Sequence, residues 1–271
     1  MGDSNNPMGP DFMVIGAQRS GTTWLHRVLS QHPELWLTPV KELHYFDKPQ
    51  IRVGALNRGE RQRARFWDRR RFQQHPRWYS RYWFLPRNDR WYGRLFREGR
   101  RQGRRVGEIT PAYAALNAER WNHIHTLMPN LQSVFVMRDP VVRTWSALRN
   151  SMRKGDLDRE APVQTLLDHA RGSGAAARSN YLRTIELVEQ YFGPERLHCC
   201  FFEQLSSDPL ELADDLFRFL QVPSLGDGLK LPAAVNAAGG EDHPPLAFSR
   251  ALAHDYLPMV ERLAERFGPI P

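Results

Sequence analysis

The stretch from Phe12 to Leu25 reads Phe-Met-Val-Ile-Gly-Ala-Gln-Arg-Ser-Gly-Thr-Thr-Trp-Leu. Its apolar start is typical of a buried strand, and its end continues into apolar residues with helical spacing. Gly16 and Gly21 bound the loop between them and allow a sharp turn that aims successive backbone amides at one anion. The stretch therefore predicts a strand, a phosphate-binding loop and a helix whose N-terminus faces negative charge.

The two glycines have the spacing of the nucleotide-binding P-loop, but the residues that follow differ from that motif. A Walker loop continues with Lys and then Ser or Thr, which bind the terminal phosphates and magnesium. Here Thr22 and Thr23 follow Gly21, and the cation is Arg19, which precedes the second glycine. We interpret the loop as an anion site that needs no metal ion. An ordinary glycine-rich turn between a strand and a helix is the alternative.

Length and composition favour a single α/β domain over residues 1–271, because a chain of this length can build one sizeable core. No run approaches the roughly 18 continuous apolar residues of a membrane span, and the polar N-terminus is unlike a signal peptide. The adjacent Cys199 and Cys200 would point to opposite faces of a strand, so no disulfide is expected. No cysteine or histidine cluster has the spacing of a zinc site. These features predict a cytoplasmic protein without a metal ion or a membrane partner.

The net charge of +8 is concentrated in one part of the chain. Residues 51–105, here called the arginine-rich segment, contain 18 arginines, no lysine and four carboxylates, so they carry +14 and the remaining residues −6. Aromatic residues are interleaved with the arginines. We expect an insert or cap whose aromatic rings pack inward and whose arginines guide an anionic substrate or donor. Binding of nucleic acid or another polyanion is the alternative, although no nucleic-acid-binding motif accompanies the charge.

Strands and helices alternate along the chain. After the first strand and helix, strands are predicted at 35–37, 106–109, 134–137 and 197–202, and helices at 114–128, 179–191, 209–220 and 256–267. This order predicts a P-loop-like, mainly parallel sheet covered by helices on both faces. The polar stretch 153–173 is expected to be irregular and to form a mobile loop over the site, and 237–240 a flexible turn.

Carboxylates near the predicted strand ends are candidates for a general base. Glu42 follows the second predicted strand, and ligands of open α/β sheets bind at the carboxyl ends of the strands. Glu42 could instead form only a solvated ion pair with Lys41. His44 is the alternative base. Glu108, at the end of the third predicted strand, is a second carboxylate candidate, or it forms only local hydrogen bonds.

A second informative stretch runs from Ser133 to Ser146. Arg138 closes a buried strand, Asp139 can cap the following helix, and Pro140 suits the first helical position. Arg138 and Ser146 could hold a second phosphate between them, while a structural ion pair of the arginine is the alternative. Arg143 and Arg149 lie on the same helix and are expected to stay exposed.

These motifs together resemble those of the sulfotransferases that use 3′-phosphoadenosine 5′-phosphosulfate, PAPS. Residues 16–23 are similar to the loop that binds the 5′-phosphosulfate in that family. The 3′-phosphate motif, Arg-Asp-Pro followed by Arg and Ser, is similar to Arg138, Asp139, Pro140, Arg143 and Ser146. The resemblance implies PAPS as the donor, its product PAP, and donor binding by these residues: Gln18, Arg19, Ser20, Gly21, Thr22, Thr23, Trp24, Arg138 and Ser146.

Two further segments resemble the heparan-sulfate-type members of the family. Residues 41–47 are similar to their Lys-Glu-x-His-Phe-Phe segment, whose glutamate is the proposed base. Residues 108–113 are similar to their Glu-Lys-Thr-Pro-x-Tyr turn, with Ile109 in place of the lysine. No Golgi-type membrane anchor is seen, so the form expected is that of the soluble bacterial members.

The resemblance implies transfer of a sulfuryl group to a hydroxyl of a small-molecule or glycan acceptor. In this hypothesis Glu42 takes the acceptor proton, while Arg19 and Thr22 neutralise charge on the departing oxygen. Two other functions remain as alternatives, a P-loop kinase-like phosphotransferase and a polyanion-binding protein that uses the arginine-rich segment. A kinase would need a Walker lysine and magnesium ligands, and Thr22 occupies the position of that lysine.

Overall fold

The computed structural model describes residues 9–48, 73–232 and 243–268. Its strands are β1 (Phe12–Gly16), β2 (Leu35–Leu37), β3 (Arg105–Ile109), β4 (Gln132–Met137) and β5 (Leu197–Phe201). Its α-helices are α1 (Thr22–Leu29), α2 (Pro76–Phe84), α3 (Asp89–Arg94), α4 (Arg97–Arg101), α5 (Ala118–Leu127), α6 (Pro140–Lys154), α7 (Val163–Arg171), α8 (Ser173–Ser179), α9 (Tyr181–Phe192), α10 (Gln204–Ser207), α11 (Pro209–Phe219) and α12 (Leu246–Phe267). The predicted turn at 237–240 lies outside the described residues.

The five strands form one parallel sheet in the order β2-β3-β1-β4-β5. From β1 the chain passes through α1 to β2 at one edge of the sheet, whereas from β4 it passes to β5 at the opposite edge. The connections that leave the carboxyl ends of the neighbouring strands β1 and β4 therefore diverge and leave a crevice, the usual ligand position in open α/β sheets. The loop after β1 lies at this crevice.

Successive residues of β1 point to opposite faces of the sheet and enter two separate cores. Met13 and Ile15 pack in a cluster that includes residues of α5 and α9. Phe12 and Val14 pack in a second cluster, which includes residues of α1 and α11. This alternation explains why the strand is apolar throughout, because both faces of a parallel sheet are covered. The predicted parallel sheet with helices on both faces is confirmed.

A third apolar cluster corrects the prediction of irregular structure over 153–173. Residues 163–171 form the helix α7, whose Leu166, Leu167 and Ala170 are buried against Trp145 of α6 and Phe248 of α12. The apolar residues of α7 are few and are separated by polar ones, so the stretch reads as polar until its distant partners are known. For the same reason α12 begins at Leu246, ten residues before the predicted start.

The described part of the arginine-rich segment, residues 73–105, forms α2, α3, α4 and the first residue of β3. Its buried aromatic residues are Trp78, Tyr79, Trp91, Tyr92 and Phe96. Several of its arginines are exposed, among them Arg77, Arg90 and Arg97. In this part five of the ten arginines are exposed, and most of the rings pack inward, although Phe84 is 80% exposed. Residues 51–72 lie outside the described residues.

Candidate active site

The loop between β1 and α1 presents a helix N-terminus that is suited to an anion. Gly21 precedes the helix with a φ of 79°, a conformation that glycine adopts without strain. The first turn of α1 carries no acidic side chain that would compete with an anion for the positive end of the helix dipole. The hydroxyl of Ser20 is buried and has no hydrogen-bond partner among the described residues. An anion in the loop would supply an acceptor for it.

Lys41 connects the start of α1 to the loop that follows β2. Its Nζ lies 3.4 Å from the Thr22 hydroxyl, 3.2 Å from the Thr23 hydroxyl and 3.3 Å from Oε1 of Glu42. The backbone N–H of Glu42 donates to the carbonyl of Ile109 at the end of β3, 2.9 Å away. The carboxylate of Glu42 is thereby held beside the anion-binding loop, at the carboxyl ends of the strands. Sequence reasoning noted the Lys41 and Glu42 pair but missed the contacts of Lys41 with the two threonines.

Glu42, His44 and Asp47 form a chain of charged groups. The Nε2 atom of His44 lies 3.4 Å from Oε2 of Glu42, and its Nδ1 lies 2.8 Å from Oδ2 of Asp47. Burial alone would lower the pKa of His44, but its hydrogen bonds to Asp47 and Glu42 outweigh burial and raise the pKa to about 9. Burial alone would raise the pKa of Glu42, yet the contacts with His44 and Lys41 hold it below the ordinary value. At neutral pH the pair is therefore an imidazolium beside a carboxylate.

The two predicted phosphate motifs meet through Arg19. Its Nε donates to the hydroxyl of Ser146 on α6 over 3.2 Å, and Nη1 of Arg138 donates to the backbone carbonyl of Arg19 over 3.0 Å. Burial, together with the positive charges of Arg153, Arg138 and Arg149, lowers the pKa of Arg19. Such a concentration of guanidinium groups is stabilised by a bound anion. The structure thus brings Arg19 into contact with Ser146 and Arg138, whereas the sequence had assigned Arg138 and Ser146 to a second phosphate site apart from the loop of Arg19.

The start of α6 follows the prediction from its sequence. Asp139 caps the helix by accepting a hydrogen bond from the N–H of Val142 over 2.8 Å, and Pro140 occupies the first turn. The guanidinium of Arg138 lies 4.1 Å from the centre of the Phe202 ring. The Tyr181 hydroxyl donates to the backbone carbonyl of Arg138 over 2.9 Å. These contacts fix the side chain and backbone of Arg138 at the crevice.

Two residues, Trp24 and Arg143, are buried in a way that the sequence did not indicate. The Trp24 side chain is 3% exposed and packs in the apolar cluster that includes residues of α1 and α11. Arg143, expected to be exposed, is 1% exposed and donates to the hydroxyls of Thr144 and Ser179. It points inward because α8 and α12 cover that side of α6. Gln18 lies half-buried within the loop itself.

Glu108 is enclosed rather than open to the site. It is fully buried, and its carboxylate accepts hydrogen bonds from the Tyr92 hydroxyl and from the Thr110 hydroxyl, the latter over 2.9 Å. Burial raises its pKa to about 7 in spite of these bonds. The sequence left open whether Glu108 is a candidate base or forms only local hydrogen bonds, and the structure supports hydrogen bonding. One of its partners, Tyr92, is not local but comes from the arginine-rich segment.

The charges of the Glu42–His44–Asp47 chain predict a pH-dependent contribution to stability. The pKa of His44 is higher in the folded protein than its ordinary value of 6.5, so its stabilising effect is complete below that value and is lost as pH rises through about 9. Urea unfolding of the wild type and of a His44→Gln variant should differ most at pH 6. The difference should shrink by on the order of 2 kcal/mol by about pH 10. The same substitution at the exposed His254 is the matched control, and a His44 difference that is independent of pH would contradict the assignment.

The fold and site together define a class of protein. The parallel sheet carries a glycine-bounded loop in which Thr22 takes the position of the Walker lysine, and the carboxylate of Glu42 lies beside this loop. The sequence matches a family model described as the sulfotransferase family over residues 10–227. Since the match covers most of the chain, the protein belongs to the sulfotransferase family. The predicted resemblance to the sulfotransferase family is confirmed.

Individual relatives are distant in sequence. The membrane-associated sulfotransferase kil1 of Dictyostelium discoideum is 23% identical over 185 residues, which are 68% of this chain and 32% of that protein. The chain thus spans about a third of that relative's length. A sulfotransferase from Alicyclobacillus acidocaldarius has a similar fold, with a TM-score of 0.67, 22% identity and 97% of each chain covered. The sulfotransferase domain of the olefin synthase from Synechococcus PCC 7002 gives a TM-score of 0.60 at 20% identity, covering 94% of this chain and 97% of that domain.

Within residues 9–48, 73–232 and 243–268, none of the helices combines the length and the apolar character that a membrane span requires.

Proposed function

We propose that this protein transfers a sulfuryl group from PAPS to a hydroxyl group of a small-molecule or glycan acceptor, with Glu42 as the general base. The observation that carries the proposal is the contact of Lys41 with Thr22, Thr23 and Glu42, which joins the anion-binding loop to an ionised carboxylate. The free thiols of Cys199 and Cys200 support a reducing, cytoplasmic location for the reaction.

The residues around the crevice fit a donor that carries anionic groups at two ends. The α1 N-terminus, the buried Ser20 hydroxyl and Arg19 would hold the 5′-phosphosulfate. Arg138 and Ser146 would hold the 3′-phosphate. The hydrogen bond between Arg19 and Ser146 supports the proposal that one nucleotide reaches both groups of residues, because it joins the loop to α6.

The proton in this reaction is taken up by Glu42. The donor, when bound, supplies an activated sulfuryl group whose leaving group is a phosphate. Glu42 is ionised at neutral pH because its pKa lies below the ordinary value, so it can accept the proton of the attacking hydroxyl. His44, with a pKa of about 9, is already protonated at neutral pH and serves in our proposal to orient Glu42. These pKa values favour Glu42 over His44 as the base.

Charge on the leaving side is neutralised by the side chains that line the loop. Arg19, Lys41 and the hydroxyl of Thr22 are fixed by contacts within the protein, so they need little reorganisation during the reaction. A transferring sulfuryl group carries less charge than a phosphoryl group. We therefore propose that these groups stabilise the transition state without a metal ion.

The test is thermal unfolding of the full chain with PAP, with ATP, and with ATP plus magnesium. A ligand at about 100 times its dissociation constant should stabilise the protein by about 2.7 kcal/mol. We expect stabilisation by PAP that does not depend on magnesium, and a weaker effect of ATP. Stabilisation by magnesium-ATP alone would overturn the proposal in favour of a kinase-like enzyme. A general, salt-sensitive response to every polyanion would favour a polyanion-binding protein instead.

A further inference from the structure

The backbone that carries Glu42 and His44 is strained. Glu42 has a φ of 65° and His44 a φ of 52°, both in the left-handed region that residues other than glycine rarely adopt. Such a conformation is unfavourable for these residues and persists only when the surrounding structure fixes it. The contacts that hold this backbone in place therefore bear directly on the position of the proposed base.

One of those contacts comes from Arg87, in the arginine-rich segment between α2 and α3. Its Nη2 donates to the backbone carbonyl of Leu43 over 3.1 Å and to that of His44 over 2.7 Å. The two carbonyls belong to the peptide groups on either side of the His44 Cα. A single cation that binds both thus fixes φ and ψ of His44.

The guanidinium of Arg87 is itself held by aromatic rings. Its Cζ lies 5.1 Å from the centre of the Trp91 ring and 5.8 Å from that of Tyr45. These distances are those of cation–π contacts, which favour the planar guanidinium of arginine over the ammonium of lysine. The rings and the two carbonyls together define one orientation for this side chain.

Two more contacts connect the same segment to the loop after β2, which carries Glu42 and His44, and to the sheet. The Tyr45 hydroxyl donates to Oδ1 of Asp89 over 2.6 Å, and the Tyr92 hydroxyl donates to the buried Glu108. The rings of Tyr45 and Tyr92 stack with centres 4.8 Å apart. The arginine-rich segment is therefore packed against the residue that follows His44, in addition to binding its backbone through Arg87.

We infer that Arg87 is a positioning residue for the proposed base: it fixes the backbone of His44, and His44 in turn holds the carboxylate of Glu42. The inference rests on the proposed function for its catalytic consequence. It gives the arginine-rich segment a role that its charge alone did not suggest. At least one of the arginines of the segment binds backbone carbonyls of the loop after β2 rather than a substrate.

The experiment compares Arg87→Gln, Arg87→Lys and Arg90→Gln with the wild type. Arg90 is exposed three residues further along the same segment, so its substitution removes an equal charge nearby. Arg87→Lys keeps the charge but loses the planar donor group, and it is the variant to measure if Arg87→Gln does not fold. The readouts are the titration of His44 by NMR, the dissociation constant of PAP, and kcat with any acceptor that the wild type sulfates.

We expect Arg87→Gln to lower kcat by about tenfold with the affinity for PAP unchanged, since a small displacement of a catalytic group is costly. The pKa of His44 should fall from about 9 towards its ordinary value, because its contacts with Glu42 and Asp47 loosen. Arg87→Lys should show a smaller change in the same direction, and Arg90→Gln should behave as the wild type.

Several outcomes would overturn the inference. An unchanged His44 titration and kcat in a folded Arg87→Gln variant would show that the contact is only structural, even if the melting temperature falls. An equal effect of Arg90→Gln would assign the change to general electrostatics. Absence of PAP binding to the wild type would instead refute the proposed function, and the His44 titration would still test the role of Arg87 on the loop.

Discussion

Replacing Glu42 with Gln is expected to lower kcat by a factor on the order of 10² or more, because the reaction loses its general base. Glutamine keeps the size of the side chain and can still accept a hydrogen bond from Lys41 or His44. It cannot take up the proton of the attacking hydroxyl. Binding of PAP should be retained, since the donor contacts proposed for the loop and for α6 do not include Glu42. The measurement pairs steady-state kinetics with PAP titration.

Two comparisons make the Glu42 result interpretable. Glu34, an exposed glutamate before β2, is the matched control for loss of one carboxylate, and Glu34→Gln should leave kcat unchanged. His44→Gln should have a smaller effect than Glu42→Gln, since His44 orients the base in our proposal. A near-normal kcat in Glu42→Gln with a large loss in His44→Gln would transfer the role of base to His44.

The pH profile provides a second check on the same assignment. The pKa of Glu42 lies below its ordinary value, so activity should already be fully developed at mildly acidic pH. As pH rises through about 9, His44 loses its proton and its attraction for Glu42, and activity should decline. A profile that instead rises as pH passes through about 9 would indicate His44 as the base.

Much of the fold could be predicted because local patterns and global packing agree. The apolar residues of β1 predict a buried parallel strand, since both faces of that strand are covered. The glycines of the loop after it predict an anion site. The cap at Asp139 and the proline after it mark the start of α6 in the same local way. Such signals depend on neighbours in sequence, and a single chain contains them.

The parts that escaped prediction depend on partners far along the chain. The residues of α7 acquire a buried side only through Trp145 and Phe248, and the burial of Arg143 depends on Ser179 of α8. In the site, the position of Glu42 near the anion-binding loop could be predicted, because ligands bind at the carboxyl ends of parallel strands. The hydrogen bonds from Arg87 to the carbonyls of Leu43 and His44 could not be predicted. Every residue has a backbone carbonyl, so a hydrogen bond to such a group produces no recognisable pattern in the sequence.

Replacing Arg138 with Ala is expected to weaken PAP binding by a factor on the order of 10². Loss of a hydrogen bond that involves a charged group typically costs about 1.5–3 kcal/mol, and each 1.4 kcal/mol is about a tenfold change in affinity. Adenosine 5′-monophosphate lacks the 3′-phosphate and should bind the variant as it binds the wild type. Isothermal titration with both nucleotides measures the difference, and Arg159→Ala, at an exposed arginine, controls for general charge.

The two nucleotides separate the roles that Arg138 has in the structure. Besides facing the crevice, Arg138 donates to the carbonyl of Arg19, whose φ of 71° lies in the left-handed region. If the arginine served only to hold this loop, both nucleotides would lose affinity equally, because both place a phosphate there. If it recognises the 3′-phosphate, the preference for PAP over the monophosphate disappears while the monophosphate is unaffected. Arg138→Lys should retain part of that preference, because it keeps the charge and loses the stacking on Phe202.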